Sequence, residues 1–311
     1  MTEITIGIDI SKETLDVHRH PDNMEHQFAN TAHGVRALLK WIGSDVTRIV
    51  FEPTGRYHRV LERTLSRAEL PMVKVNPRHV RRFAEATGQL AKTDRLDAAL
   101  LAKMGAVLHL EACSAPSEVI VILRELHVAR EALIKDQTAA KNRTKQFSHP
   151  LVRRQNTARL KHIKRQLCAI EAEIKALIVG DPALAQELNI LKSIPGIAEL
   201  TAFALIAEMP ELGSMNSGQA ASLAGLAPIS RQSGKWRGKS FIRGGRQTVR
   251  RALFMPALVA MRYNPDLKAK YDQLIAMGKP PKVAITAIMR KMIVLANALL
   301  KAERPWMPKH A

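Results

Sequence analysis

The order of strand and helix signals in the first third of the chain limits the folds open to it. Three strand-like segments follow one another at residues 4–10, 14–18 and 26–29, and the first is a β-branched run. Helical and strand-like patterns then alternate, with helices predicted at 35–42, 57–68, 77–88 and 94–108 and strands at 48–52 and 72–75. A meander followed by this alternation predicts a mixed α/β layer fold.

The rest of the chain has a helical pattern. Apolar residues recur in three- and four-residue steps over 116–178, and His149-Pro150 is expected to break this run into an antiparallel helical arm or coiled-coil hairpin. From residue 184 onward the chain is Ala/Leu-rich and helical, apart from a Gly- and Ser-rich stretch at 228–245. We predict a domain at 1–112, a coiled-coil arm at 113–180 and a mostly α-helical domain at 181–311.

The net charge of the chain indicates the kind of molecule that it binds. The chain has 48 Lys and Arg against 28 Asp and Glu, a formal net charge of +20. Half of the acidic residues lie in the first 111 positions, whereas 137–170 and 212–265 contain none. A polyanion, most commonly nucleic acid, explains this separation, and a ribosomal-type basic protein is the alternative. Aromatic residues are only 4% of the chain, which disfavours recognition by base stacking.

Other composition signals favour a cytoplasmic protein, associated with the bacterial nucleoid. Cys113 and Cys168 are the only cysteines and form neither a disulfide framework nor a zinc site. The N-terminus lacks a signal-peptide pattern, and no membrane segment is expected.

Four carboxylates in the first third form a candidate metal site. Asp9 lies within the first strand, Glu52 ends a second buried strand, and Asp94 and Asp97 share one face at the start of a helix, where Thr93 is the predicted N-cap. Four such groups can hold one or two Mg²⁺ or Mn²⁺ ions through oxygen. Taken singly, each is as well explained by capping or a turn. Their order in a basic protein matches an RNase H-like (RuvC-type) nuclease core.

The second half contains two candidate nucleic-acid elements. The turn around Gly196 resembles a helix-hairpin-helix, although an ordinary glycine corner explains it equally well. The stretch 228–245 mixes glycines, cations and Ser230, Ser233 and Ser240. A serine nucleophile in phosphoryl transfer needs such cations, but the residues alone do not select one serine. The cations predicted to contact nucleic acid are Lys141, Arg143, Arg153, Arg154, Arg231, Lys235, Arg237, Lys239, Arg243, Arg246 and Arg250.

Nearly the whole chain resembles the DEDD-type insertion-sequence transposases, the family one-ten that includes Piv-type invertases and bridge-RNA-guided recombinases. The motifs that carry the likeness are Gly7-Ile8-Asp9-Ile10-Ser11-Lys12, Phe28-Ala29-Asn30-Thr31, Glu52-Pro53-Thr54-Gly55-Arg56-Tyr57, Val75-Asn76-Pro77, Lys92-Thr93-Asp94-Arg95-Leu96-Asp97-Ala98, Ser193-Ile194-Pro195-Gly196-Ile197, Ala224-Gly225-Leu226-Ala227-Pro228, Ser233-Gly234 and Arg250-Arg251-Ala252-Leu253-Phe254-Met255-Pro256.

The resemblance implies roles for particular residues. The family's acidic positions fall on Asp9, Glu52, Asp94 and Asp97, and its catalytic serine falls on Ser233. It implies a covalent phosphoserine link to DNA beside bound Mg²⁺. It also implies a site shared between subunits, homodimers that assemble into homotetramers, and, in some members, a structured bridge RNA that guides the enzyme to donor and target DNA.

Two alternatives stay open. A Holliday-junction or RNase H-like nuclease would use the carboxylates with water as the nucleophile. A DNA- or RNA-binding protein without activity would keep them only as structural groups.

Overall fold

A computed structural model describes residues 3–89, 94–112, 117–234 and 236–308, without the side chains of Asp94 and Arg237. The predicted N-cap Thr93, the predicted cation Lys235 and Cys113 lie outside the described residues. The chain divides into two compact units, residues 1–115 and 116–311.

The first unit is a five-stranded sheet with helices on both faces. Its elements are β1 (Thr5–Ile10), β2 (Thr14–His20), β3 (Met24–Ala29), α1 (Ala32–Ile42), β4 (Arg48–Phe51), α2 (Arg59–Arg67), β5 (Met72–Lys74), α3 (Pro77–Ala86) and α4 (Asp94–Val107). The strand order is β3-β2-β1-β4-β5. The first three strands pair antiparallel, and β4 and β5 continue from β1 in parallel. The predicted meander and mixed α/β layer are confirmed.

Because side chains alternate along a strand, the apolar residues of this sheet divide between its two faces. Ile6, Ile8 and Ile10 of β1 pack in a core with α1 and α2. On the opposite face, Val50 of β4 packs in a second core with residues of α3 and α4, including Leu101.

Two glycines let α4 lie directly on the second face. A Cβ on Gly7 would come within 2.0 Å of the Ala98 carbonyl oxygen, and one on Gly105 within 2.9 Å of Thr5 Cγ2. Only the missing side chains permit this approach. Because Thr5 lies near Gly105 and Gly7 lies near Ala98, α4 runs opposite to β1, and its first turn lies toward the end of β1.

The second unit begins with a helical hairpin of α5 (Glu118–Thr144) and α6 (Pro150–Gly180). Asn156, which is buried, donates from Nδ2 to the Ala140 carbonyl at 3.0 Å and to Thr144 Oγ1 at 2.7 Å, and Arg130 pairs with Glu171 at 2.7 Å. The predicted break at His149-Pro150 is confirmed, since α6 starts at Pro150. A coiled coil in the strict sense, and a domain boundary at residue 180, stay predictions.

The remaining helices pack around one core. They are α7 (Pro182–Ser193), α8 (Glu199–Glu208), α9 (Ser217–Leu223), α10 (Gln247–Tyr263), α11 (Pro265–Ala276) and α12 (Pro281–Lys301). Among the described residues, α12 alone is long and apolar enough to cross a membrane by length and composition, contrary to the expectation that no segment would be. Its apolar character is explained by packing, because Ile288, Met292 and Ala296 are fully buried in the core.

The Gly- and Ser-rich stretch is a short antiparallel ribbon, where the sequence predicted only a loop. Its strands are β6 (Pro228–Ile229), β7 (Gln232–Ser233), β8 (Trp236–Arg237) and β9 (Phe241–Ile242). β6 pairs with β9 at the base, and β7 pairs with β8 at the tip.

Candidate active site

The segments of Asp9 and Glu52 meet at one end of the sheet. The parallel register pairs Gly7 with Val50 and Ile8 with Phe51, the last residue of β4, and Glu52 directly follows that strand. Asp9 shares the face of Gly7, which α4 covers, because side chains alternate along a strand. Both carboxylates are half-buried and make contacts within the protein.

The third and fourth predicted ligands belong to the first turn of α4. Asp97 is half-buried and follows Asp94 by three residues on the same side of the helix. The packing of α4 on Gly7 directs this turn toward Asp9. The fold therefore brings the segments of all four predicted carboxylates to one end of the sheet.

The donor set suits a hard divalent cation, since carboxylate oxygens are the ligands that Mg²⁺ and Mn²⁺ favour. Among the described side chains, which exclude that of Asp94, no group of three His, Cys, Asp or Glu stands close enough to hold an ion. The residues of the tetrad fit such a metal by the chemistry of their oxygen ligands, and the metal site stays a prediction.

Sequence reasoning missed a fifth carboxylate. Asp16 of β2 lies directly opposite Asp9 in the antiparallel register, and only 5% of its surface is exposed. Its Oδ1 accepts from Gln27 Nε2 at 2.9 Å, and its Oδ2 accepts from Thr14 Oγ1 at 3.4 Å. A polar residue between Leu15 and Val17 was the available signal, because it had to face away from the apolar core.

A cavity of about 510 Å³ adjoins this carboxylate. It is lined by Asp16, Val17, Glu25, His26, Gln27 and Arg95. Glu25 and Arg95 form an ion pair at its edge, and the hydrogen bond from Arg95 lowers the pKa of the Glu25 carboxyl. The first turn of α4 therefore places a cation at this cavity.

Ser233 is exposed at the tip of the ribbon in the second unit. It pairs with Trp236 across the turn, and the next residue, Gly234, has φ of 54°, which favours glycine. Ser230 and Ser240 lie instead toward the base, with their hydroxyl oxygens 3.4 Å apart. The three serines therefore differ in their position on the ribbon, which composition alone could not predict.

Three of the predicted cations make contacts inside the protein. Arg246 donates to both carboxylate oxygens of Glu211 at 2.6 Å. Burial alone would raise the pKa of Glu211, but the Arg246 guanidinium, together with a backbone hydrogen bond and the charge of Arg124, lowers that pKa. Arg250 donates to the carbonyls of Gly225 and Gly244 at 3.2 and 2.9 Å, and the Arg231 guanidinium lies 5.0 Å from the Phe241 ring centroid. These contacts brace the ribbon.

Six other predicted cations are exposed on the surface. They are Lys141, Arg143, Arg153 and Arg154 near the hairpin bend and Lys239 and Arg243 in the ribbon. The Arg237 side chain and Lys235 lie outside the described part of the chain. Exposure leaves these groups available to a phosphate backbone, and their contacts stay a prediction.

Gly196 has a packing explanation. Its φ is 101°, and a Cβ there would lie 2.6 Å from the Pro256 carbonyl oxygen of α10 and 3.1 Å from Ala260 Cβ. The glycine therefore permits close contact between the turn and α10. A phosphate contact at this turn stays a prediction.

Comparison with known proteins identifies the family. Residues 6–147 match the DEDD transposase domain of the IS110 family, and residues 188–272 match a transposase domain of the IS116/IS110/IS902 family. The chain is 30% identical over 319 residues to the pilin gene-inverting protein of Moraxella bovis, covering 98% of each chain. The chain belongs to the IS110 family of transposases.

Two further relatives support the same family. The pilin gene-inverting protein of Moraxella lacunata is also 30% identical, with 98% of each chain covered. A 43.6 kDa IS110 insertion-element protein of Streptomyces coelicolor is 32% identical over 141 residues, which are 45% of this chain and 34% of that protein. The transposase is an enzyme of DNA recombination, and the DEDD domain that residues 6–147 match is RNase H-like.

Proposed function

We propose that this transposase cuts and rejoins DNA through a covalent phosphoserine at Ser233, with Asp9, Glu52, Asp94 and Asp97 holding Mg²⁺ or Mn²⁺. The observation that carries the proposal is the parallel pairing of β1 with β4, which brings Asp9 and the Glu52 segment to the end of the sheet where α4 begins. The exposure of Ser233 at the ribbon tip supports its role as the nucleophile.

The chemistry exchanges one phosphate ester for another. The Ser233 oxygen forms a bond to phosphorus, the bond from phosphorus to one deoxyribose oxygen breaks, and the serine proton is passed on so that the leaving oxygen ends as a hydroxyl. Rejoining is the reverse attack by a strand hydroxyl on the phosphoserine. A bound divalent cation would neutralise charge on the phosphate oxygens.

Recovery of the adduct tests the nucleophile. The full chain is expressed beside its natural flanking DNA, and nuclease-treated protein is searched by mass spectrometry for a nucleotide on the ribbon peptide. Ser233→Ala is expected to lose the adduct and at least ~10³-fold in strand cleavage. Ser230→Ala, an exposed serine of the same ribbon, is the matched control. Cleavage retained by Ser233→Ala would instead establish the Holliday-junction or RNase H-like nuclease, which attacks with water.

We also propose that the outcome on DNA is inversion or insertion of a segment between two sites. The pilin gene-inverting proteins, by name, invert a gene, and the match covers 98% of each chain. The test is amplification across both junctions of a plasmid that carries the natural flanks. Asp9→Asn is expected to remove new junctions, whereas a binding protein without activity would form none in either version.

A structured bridge RNA is proposed as the guide. Support comes from the net charge of +20 and from the exposed cations at the hairpin bend. RNA that co-purifies with the chain is sequenced and compared with the flanks. Flank-encoded RNA whose removal stops recombination is expected, and recombination by RNA-free protein would refute guidance.

The active site is proposed to be shared between subunits of a homodimer that assembles into a homotetramer. Ser233 and the carboxylates belong to separate compact units, which allows either unit to work with that of a partner. Mixing Asp9→Asn with Ser233→Ala subunits is expected to restore recombination, because a mixed pair assembles one intact site. No restoration by mixed oligomers would place both groups in one subunit.

A further inference from the structure

The polar residues on the α4 face form one continuous row across three strands. Asp9 of β1 lies opposite Asp16 of β2, and Asp16 lies opposite Gln27 of β3. In an antiparallel sheet, residues directly opposite have Cβ atoms about 5 Å apart. The row places a buried carboxylate beside the proposed metal ligands on the side away from Glu52.

Burying Asp16 there opposes the stability of the sheet. Like charges directly opposite on neighbouring strands destabilise a sheet, and a buried carboxylate requires hydrogen bonds or a counter-charge. The hydrogen bonds from Gln27 and Thr14 orient Asp16 without removing its charge. Arg95, which lines the same cavity, pairs with Glu25, and a divalent cation at Asp9 would provide a further counter-charge.

We infer that Asp16 is a positioning residue of the metal centre, a fifth carboxylate that strengthens divalent-cation binding through its charge beside Asp9. This inference rests on the proposed metal site. Both Asp16 oxygens already accept hydrogen bonds and the side chain is 95% covered, so its part is to orient and to attract rather than to form a direct bond to the ion. Such outer carboxylates tune the affinity of metal sites.

The substitution Asp16→Asn tests the effect of that charge alone. The amide keeps the size of the side chain, its carbonyl can accept from Gln27, and its NH₂ can donate to Thr14 Oγ1. Asp22→Asn is the matched control, because it removes the same charge from the same hairpin, where Asp22 is exposed and pairs with Arg19 at 3.2 Å. Binding of Mn²⁺ alone to the purified, nucleic-acid-free full chain is measured by titration calorimetry, with thermal unfolding recorded without and with Mn²⁺.

The expected result is a Kd for Mn²⁺ raised ~10-fold or more by Asp16→Asn. The unfolding temperature without metal should be equal or higher, since a repulsion is removed, and the gain on adding Mn²⁺ should be smaller. Asp22→Asn should match the wild type. If Asp16→Asn binds Mn²⁺ as tightly as the wild type, the inference is overturned.

Asp9→Asn separates this failure from failure of the metal site. Loss of binding in Asp9→Asn with unchanged binding in Asp16→Asn would refute the role of Asp16 and leave the proposed site standing. Wild-type binding by Asp9→Asn would refute both. Should Asp16→Asn not fold, Gln27→Ala at the exposed edge strand removes the hydrogen bond that orients Asp16. It is expected to raise the Kd several-fold, and an unchanged Kd would again overturn the inference.

Discussion

Replacing Gly7 by alanine should disturb the proposed metal site without changing a carboxylate. The added Cβ would lie 2.0 Å from the Ala98 carbonyl oxygen and 2.4 Å from the Ala102 nitrogen, where ordinary contact begins at 3.4 Å. Both opposing atoms are backbone atoms, so α4 itself must retreat, by about 1.4 Å. Overpacking of this kind costs about 1–3 kcal/mol in the free energy of unfolding.

The same displacement moves the first turn of α4, with Asp94 and Asp97, away from Asp9. A misplacement of about 1 Å can cost ~100-fold in rate, so we expect recombination to fall more than stability would explain. Thermal unfolding gives the stability change, calorimetry with Mn²⁺ gives the binding change, and junction amplification gives the activity. Gly180→Ala is the control, because nothing lies within 4 Å of the added Cβ at this helix end.

One result would refute the reasoning. If Gly7→Ala unfolds at the wild-type temperature and keeps its affinity for Mn²⁺, α4 does not rest on β1 as described. A loss of stability with unchanged Mn²⁺ affinity would keep the packing but disconnect the first turn of α4 from the metal site.

Three further predictions concern the second unit. Asn156→Ala should lower the free energy of unfolding by about 1–3 kcal/mol in denaturant titrations, because it removes one buried and one partly buried hydrogen bond of the hairpin. Burial, with Asp181 nearby, raises the pKa of Glu187 to about 7. The folded chain then holds a proton that the unfolded chain releases above about 4.5, so stability should fall as pH rises from about 4.5 to about 7, and Glu187→Gln should flatten this slope in thermal unfolding. Replacing Arg153 and Arg154 by Gln should reduce the slope of log affinity for duplex DNA against log salt by about 2, and an equal slope would exclude both from phosphate contact.

Much of the first unit could be predicted from the chain alone. Residues 4–10 read as a strand because β-branched residues dominate them, and Asp9 was visible because it interrupts an apolar run. Such local signals identify an element and the residues on it. The strand order, in which β4 lies beside β1, depends on pairing across about 40 positions and was not predicted.

Asp16 shows why part of the candidate site was missed. Alternation of Leu15, Asp16 and Val17 is typical of an antiparallel strand with one solvent-exposed face. The burial of Asp16 results from the pairing of β2 with both β1 and β3 and from the cover of α4, roughly 80 residues away in the chain. A period of two gives the face of a residue but not what lies on that face.

The basic residues of the second half show a different limit of prediction from sequence. Arg246 and Arg250 were grouped with the nucleic-acid contacts because the surrounding stretch lacks acidic residues. Glu211 lies just before that stretch and pairs with Arg246 in the folded protein. Arg250 donates hydrogen bonds to backbone carbonyls. Charge density along a sequence counts cations, whereas only the fold shows which of them already have partners.

These two cations bear on how the nucleophile is presented. Arg246 and Arg250 fasten the base of the ribbon, and a close approach of Gly225 to Gly245, with a Cβ on Gly245 only 2.2 Å from the Gly225 nitrogen, closes it. Ser233 then projects at the far end, on two-residue strands and open to solvent. Metal ligands require a rigid support, which the sheet and α4 provide, whereas a nucleophile that must reach a phosphate and later release it requires access. Each support therefore matches the chemistry proposed for it.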